Sequence, residues 1–265
     1  MSISKVIHYC WFGRNPLPES VQMCIASWKK YCPDYEIIQW NEDNFDFSVC
    51  PYAAEAYKIK KWSFVSDYVR FKVIYDFGGV YLDTDVELIK SIDPLLEYPA
   101  FLGFESDYTV ASGLGFGAVK GHPFIAENIK AIMSMPLYVN GEINPIIAPK
   151  ITTNILKEHG LVSDCTKMQT VADVVILPKE YLCPKDFETE KTKITRNTYS
   201  IHHYDASWFS EERRIAHERA VKQRRIEKRF GKRLGKYIYR ISLTFAYLFK
   251  EGGCKEILRK KLHRS

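Results

Sequence analysis

A chain of 265 residues with 46% hydrophobic content holds enough apolar material for a catalytic domain with appendages, and disorder throughout is excluded. The formal net charge of +6 hides an asymmetry: residues 1–210 carry 20 Lys and Arg against 26 Asp and Glu, or −6, and residues 211–265 carry 18 against 6, or +12. Seven scattered cysteines with no CxxC pair, and no apolar leader ahead of the first polar residues, give the expectation of free thiols in a reducing cytoplasm.

In chain order, SKVIHYCWFG is a β-rich apolar run, and Gly13, Asn15, Pro16 and Pro18 end it as a strand followed by a loop. Val21, Cys24, Ile25 and Trp28 predict a helix over 19–31, and YEIIQW predicts a second short strand. Residues 52–77 read as helical, with Phe64, Tyr68, Phe71 and Tyr75 on one packed stripe and Asp67 and Arg70 on another face. After Gly78-Gly79, VYLDTDVEL predicts a buried strand with acids at its exit. AFLGF and GLGFGAV are further strand candidates, and residues 123–134 and 146–159 are helix candidates. VVILP and YSIHHY close the core. This alternation predicts an α/β fold with a mainly parallel central sheet, whose ligands gather at the carboxyl ends of the strands. The boundary is expected near Ser210, giving a domain over 1–210 and a basic helical extension over 211–265.

Asp83 and Asp85 carry the chemistry. On an extended chain, positions i and i+2 face one side, roughly 6 to 7 Å apart. Two bare carboxylates that close raise each other's pKa unless a cation or donor is shared between them. A hard divalent ion with oxygen ligands resolves the conflict, and where it also holds a diphosphate it neutralises charge on the leaving group. A DxD alone also describes two acids capping a turn. Here the entry through Gly78-Gly79, the buried strand and the nearby Asp67 and Arg70 favour the metal reading.

The segment FVSDYVRFKVIYDFGGVYLDTDVE closely resembles the signature of the DXD-type sugar transferases related to capsular polysaccharide synthesis and to the yeast initiating mannosyltransferase (glycosyltransferase family 32-like), and more remotely the large clostridial glucosylating toxins. IHYCWFG at the start and IHHYDASW at the end are similar to that family's other blocks, so the resemblance covers about residues 5 to 208. It implies a GT-A fold, a nucleotide-sugar donor, Mn²⁺ or Mg²⁺, and retention of anomeric configuration. Carried over by position, Trp11 stacks on the base, Asp67 and Arg70 contact the donor sugar and hold the loop, and Tyr81 packs beside the donor. Asp83 reaches ribose and sugar hydroxyls, Asp85 binds the metal, and Ser207 and Trp208 close over the diphosphate. His202 or His203 adds a metal or phosphate contact. Adjacent histidines on a strand point to opposite faces, so one at most enters the site, and a histidine ligand favours Mn²⁺. Glu105, Asp107 and Glu142 stay open as candidates for a nucleophile. Same-face attack with the leaving phosphate as base is the expected mechanism.

Two rival readings start from other features. VYLDTDVEL also fits the opening of haloacid-dehalogenase-type phosphatases, yet Asp164, Asp173, Asp186 and Asp205 are isolated and supply no second acidic cluster. The basic tail alone suggests a protein that binds nucleic acid or lipid without catalysis. Its apolar run from Tyr237 to Phe249 is about 13 residues long and is interrupted by Arg240, too short for the roughly 20 residues of a bilayer span. Tyr237, Ile238, Tyr239, Ile241, Leu243, Phe245 and Phe249 beside the cations instead predict attachment to the anionic inner face of the membrane, with no nucleic-acid partner and a glycan or lipid-linked acceptor.

Overall fold

The first apolar run forms β1 (Val6–Cys10), which pairs in parallel with β2 (Glu36–Trp40), Val6 opposite Glu36 and Cys10 opposite Trp40. Between them α1 (Glu19–Tyr31) turns Val21, Cys24, Ile25 and Trp28 inward, the stripe predicted from their spacing. Trp28 is fully buried, and its indole N–H donates to the carbonyl of Val86 at 2.7 Å. In this computed structural model residues 2–144, 148–186, 191–204 and 211–249 are described.

The stretch predicted as one helix over 52–77 is two, α2 (Pro51–Lys58) and α3 (Trp62–Phe77). Lys60 at φ 57° ends the first, because a residue in the left-handed region cannot continue the helical ladder. α3 buries Val65, Asp67, Tyr68, Val69, Arg70, Phe71, Val73 and Ile74, so it is enclosed on nearly every side. β3 (Gly79–Tyr81) follows at once, and Gly79 is needed there: at φ 102° it passes so close to β1 that an added Cβ would lie 2.7 Å from the carbonyl oxygen of Val6. β3 lies beside β1 in parallel.

VYLDTDVEL is therefore not one strand. Its chain leaves β3 at Tyr81, makes a turn closed by Val86 N–H donating to the Asp83 carbonyl at 3.0 Å, and resumes as β4 (Val86–Leu88). Downstream lie β5 (Ala100–Ser106), β6 (Thr109–Ala111), β7 (Phe116–Ala118) and α4 (Pro123–Met133). A small hairpin, β8 (Tyr138–Val139) with β9 (Glu142–Ile143), precedes α5 (Ala148–Glu158). β10 (Gln169–Val171), β11 (Val174–Leu177), α6 (Lys179–Leu182) and β12 (Ser200–His202) complete this part.

The main sheet has the order β10-β11-β5-β7-β3-β1-β2, with β6 beside β5. The pairings make β2, β1, β3, β5 and β11 run one way and β7 and β10 the other, so the α/β architecture with a mostly parallel sheet is as expected. One apolar layer gathers Tyr68, Phe71, Phe104 and Phe116, the other Tyr9, Trp28, Leu88 and Leu114. β12 corrects the sequence reading. It does not join the core sheet but pairs antiparallel with β4, setting His202 opposite Val86 and Ile201 opposite Glu87. The six cysteines among the described residues are free thiols.

The chain divides into two compact units, Met1–Lys185 with Thr192–Trp208, and Asp186–Lys191 with Phe209–Ser265. In the second unit α7 (Glu211–Phe230) and α8 (Lys232–Phe249) form a helical hairpin turned at Gly231, φ 80°. Gly235 lets the helices approach closely, since a Cβ there would meet the Glu227 backbone at 2.4 Å. Val221 and Tyr239 are buried, so Tyr239 is not a free anchor. Phe245 and Phe249 have side chains outside the described residues. No helix among the described residues is long and apolar enough to cross a membrane.

His8, fully buried on β1, locks the entry to β3. Trp40 donates its indole N–H to Nδ1 at 3.0 Å, which leaves Nε2–H to donate to the Gly78 carbonyl at 2.9 Å. Burial lowers its pKa from 6.5 to about 4. Between those values the unfolded chain holds the extra proton. The stability from this group is thus complete above about pH 6.5 and is lost as pH falls toward 4, amounting to about 3 kcal/mol. Urea unfolding of wild type and His8→Gln at pH 7.5 and 4.5 should give a decline about 2 to 3 kcal/mol shallower in the variant. Parallel declines would show that His8 does not set the acid limit.

Candidate active site

Arg70 stands at the base of the site, 5% exposed on the enclosed helix α3. Its Nη2 lies 3.3 Å from Asp67 Oδ1, one helical turn away, and 3.3 Å from Asp83 Oδ1 across the interface with the sheet. Nε donates to the Ser66 carbonyl at 3.1 Å, and the guanidinium sits over the Tyr81 ring at 5.1 Å. Two carboxylates and one cation share the interior. Burial pushes Asp67 up to about 6 although Arg70 pulls it down, and the facing carboxylates hold Arg70 in its charged form.

Tyr81, 1% exposed, donates its hydroxyl to Asp83 Oδ1 at 3.0 Å. Expected from the resemblance to pack beside the donor, Tyr81 is buried and orients Asp83. Asp67 and Arg70 likewise support Asp83 from beneath, since both are buried rather than presented at an open surface. On the far side Gly113 touches Asp83 so closely that a Cβ would sit 2.5 Å from Oδ2. Ser112, also buried, places its hydroxyl 3.5 Å from Arg70 Nη1. Sequence reading took GLGFGAV for strand and assigned no site role to Gly113 or to Ser112 just before it. The signal was the paired glycines, which mark close approach as readily as a strand.

Asp83 and Asp85 face one site, but through the turn between β3 and β4 rather than through the pleat. Antiparallel pairing of β12 with β4 then delivers His202, whose Nε2 lies 3.2 Å from Asp85 Oδ1. Asp83, Asp85 and His202 offer ligand atoms that all lie within 4.8 Å of one another. His203 turns the other way: Nε2 pairs with Glu87 at 2.8 Å, and its N–H donates to the Asp85 carbonyl at 2.9 Å. The assignment of His203 as a metal ligand is thereby corrected, for alternation along the strand sends it out of the cluster. Trp11, half-buried just beyond β1, donates its indole N–H to the Asn15 carbonyl at 2.7 Å. Ser207 and Trp208 lie outside the described residues.

The cluster fits a divalent cation. Burial raises the Asp83 carboxyl pKa and Asp85 raises it further, the penalty of two like charges that a shared cation removes. Burial lowers His202, but Asp85 more than offsets it and the net shift is upward. The set of two carboxylates and one imidazole suits a first-row metal.

Residues 18–102 match the family described as "Glycosyltransferase sugar-binding region containing DXD motif". That stretch, about a third of the chain, is similar to the sugar-binding region of the DXD glycosyltransferases. The matched stretch includes Asp67, Arg70, Tyr81, Asp83 and Asp85. The chain is 31% identical over 137 residues to inositol phosphoceramide mannosyltransferase 3 of Schizosaccharomyces pombe, covering 49% of this chain and 37% of that protein. It is 29% identical over 149 residues to lactosylceramide 4-alpha-galactosyltransferase of Mus musculus, covering 52% and 40%. The match thus spans less than half the length of each. Among solved structures it is similar to PaToxG glycosyltransferase, with TM-score 0.48 and 20% identity, covering 59% of this chain and 70% of that one.

Gly113→Ala tests the fit around Asp83 in this DXD site. The added methyl would displace the carboxylate from Arg70 and Tyr81, and Mn²⁺ binding measured by calorimetry should weaken about 10- to 100-fold, as when metal-supporting contacts are lost. Unchanged affinity would mean that the placement of Asp83 does not support ion binding by the cluster.

Proposed function

We propose that the chain transfers a sugar from a nucleotide-diphosphate donor, UDP-sugars being favoured, to a lipid-linked acceptor, on a GT-A-type α/β domain with Mn²⁺ at the DXD site. The convergence of Asp83, Asp85 and His202 on one point carries this reading. Asp85 and His202 would hold the ion, and Asp83, fixed by Arg70 and Tyr81, would take ribose and sugar hydroxyls. When bound, the ion neutralises the diphosphate as the glycosidic bond breaks. Trp11, partly exposed where β1 ends, offers a flat face for the base. Retention of configuration is the outcome that the family resemblance implies.

The names of the relatives supply the acceptor class: the fungal protein is named for inositol phosphoceramide and the mouse protein for lactosylceramide, both sphingolipids. A lipid-borne acceptor fits the second unit. On α8, Leu234, Tyr237 and Ile241 recur at helical spacing and are 53%, 64% and 39% exposed. At 100° per residue they form a stripe opposite the buried Gly235 and Tyr239, with Lys232, Arg233, Lys236 and Arg240 along one flank. An apolar stripe edged by cations suits the interface of an anionic leaflet, where each Lys or Arg contributes roughly 1 kcal/mol.

Two measurements test the reading. A panel of UDP- and GDP-sugars is incubated with Mn²⁺ or with chelator, and donor hydrolysis should require metal and disappear in Asp85→Ala, while the thermal transition moves by only a few degrees because the site carries little core energy. Full activity in Asp85→Asn would remove the metal assignment. In sedimentation with vesicles containing anionic lipid, the whole chain should bind and high salt should release it. A chain ending at residue 210 should not bind. Equal binding by both forms, or by neither, would remove the membrane role of the hairpin.

A further inference from the structure

Of the three carboxylates that sequence leaves open as reacting groups, two are placed away from the DXD cluster. Asp107 is exposed and accepts the backbone N–H of Cys165 at 3.3 Å, and Glu142 is exposed on the β8–β9 hairpin. Glu105 differs. The β5–β6 ladder pairs Phe104 with Val110 and Ser106 with Thr109, so Glu105 is the extra residue of a β-bulge. A bulge costs a ladder hydrogen bond and re-aims one side chain, and such irregularities concentrate beside active sites.

The bulge brings Glu105 to Tyr204, whose hydroxyl is hydrogen-bonded to its carboxylate. Tyr204 is itself specially held. It sits at φ 60°, a conformation costly for a non-glycine residue, and its ring meets the edge of His202 at 4.2 Å between centroids. Its hydroxyl lies 2.9 Å from Cys183 Sγ. The Lys185 ammonium donates to the His203 carbonyl and fixes the chain just before Tyr204. Three residues that the DXD chemistry does not use are thus spent on holding one carboxylate. Glu105 is half-buried rather than sealed in and lies outside the three-residue cluster.

We propose that Glu105 is the catalytic carboxylate on the acceptor side, which binds the incoming hydroxyl and takes its proton. This rests on the glycosyltransferase reading above. The acceptor oxygen forms a bond to the anomeric carbon as the bond from that carbon to the diphosphate oxygen breaks. The electron pair leaves with the nucleoside diphosphate, and the hydroxyl proton passes to Glu105 and then to solvent. Glu105 is linked to the cluster through Tyr204, whose ring meets His202 edge-on. As base it replaces the leaving phosphate in the role expected from sequence.

The test uses nucleophiles that differ only in needing a base. With the nucleotide sugar that wild type hydrolyses fastest, and Mn²⁺, water serves as acceptor in one arm and azide in the other. Water must lose a proton; azide brings none. Glu105→Gln should slow hydrolysis about 100-fold or more, as expected for loss of a general base. Glycosyl azide formation and donor binding should stay within about threefold of wild type, and Asp107→Asn and Glu142→Gln should leave both arms unchanged. If Glu105→Gln slows both nucleophiles equally, or slows neither, Glu105 is structural and the proposal is overturned. If wild type turns over no nucleotide sugar with either nucleophile, the transferase reading itself fails, an outcome distinct from the other two.

Discussion

The site depends on one charge balance: a single guanidinium inside the protein answers two carboxylates that come from different elements. Asp67 belongs to the same helix as Arg70 and would pair with it in isolation, but such i,i+3 pairs contribute only a few tenths of a kcal/mol on a solvated helix. Enclosure of α3 changes the scale. Removing the guanidinium would leave the buried Asp67 and the half-buried Asp83 uncompensated, and breaking a buried pair in this way typically costs about 3 to 5 kcal/mol. Arginine suits this place because its planar fork reaches both acids at 3.3 Å while Nε still donates to the Ser66 carbonyl. A lysine ammonium has no such geometry.

From that balance the site grades outward. Tyr81 and Gly113 close on Asp83 from two sides, and neither leaves room for it to swing. His202 is on β12, and Asp85 lies just before β4, which pairs with β12 apart from the main sheet. Asp83 is thus tied to the core through Arg70 and Tyr81, while His202 reaches the cluster from a small appended ladder. Glu105 repeats the pattern on the other side, its bulged strand rooted in the main sheet and its carboxylate steadied by Tyr204 from the chain that follows β12.

The two units divide the electrostatics as well. The first holds the acidic cluster that calls for a cation, and the second holds the basic hairpin. The second exposes an apolar stripe, Leu234, Tyr237 and Ile241, beside cations. The two kinds of surface fall in separate stretches of the chain.

By itself the sequence determined the elements whose residues repeat locally. The helix over 19–31, the strands at Val6–Cys10 and Glu36–Trp40, and the acidic pair after Gly78-Gly79 were all legible because their periods and turn residues act within a few positions. It also determined that Asp83 and Asp85 needed a cation, since their separation of two residues forces them together in either a strand or a turn. Tertiary structure alone decided which groups answer them. Arg70 meets Asp83 only because α3 packs against β3, and Gly113 touches the same carboxylate only because the chain after β6 folds back over the turn. The choice of His202 over His203 required the register of β12 on β4, and the choice of Glu105 over Asp107 required a bulge that no local pattern encodes. Each is a contact between residues from 13 to more than 100 positions apart, and spacing along the chain carries no information about such pairs until packing closes the distance.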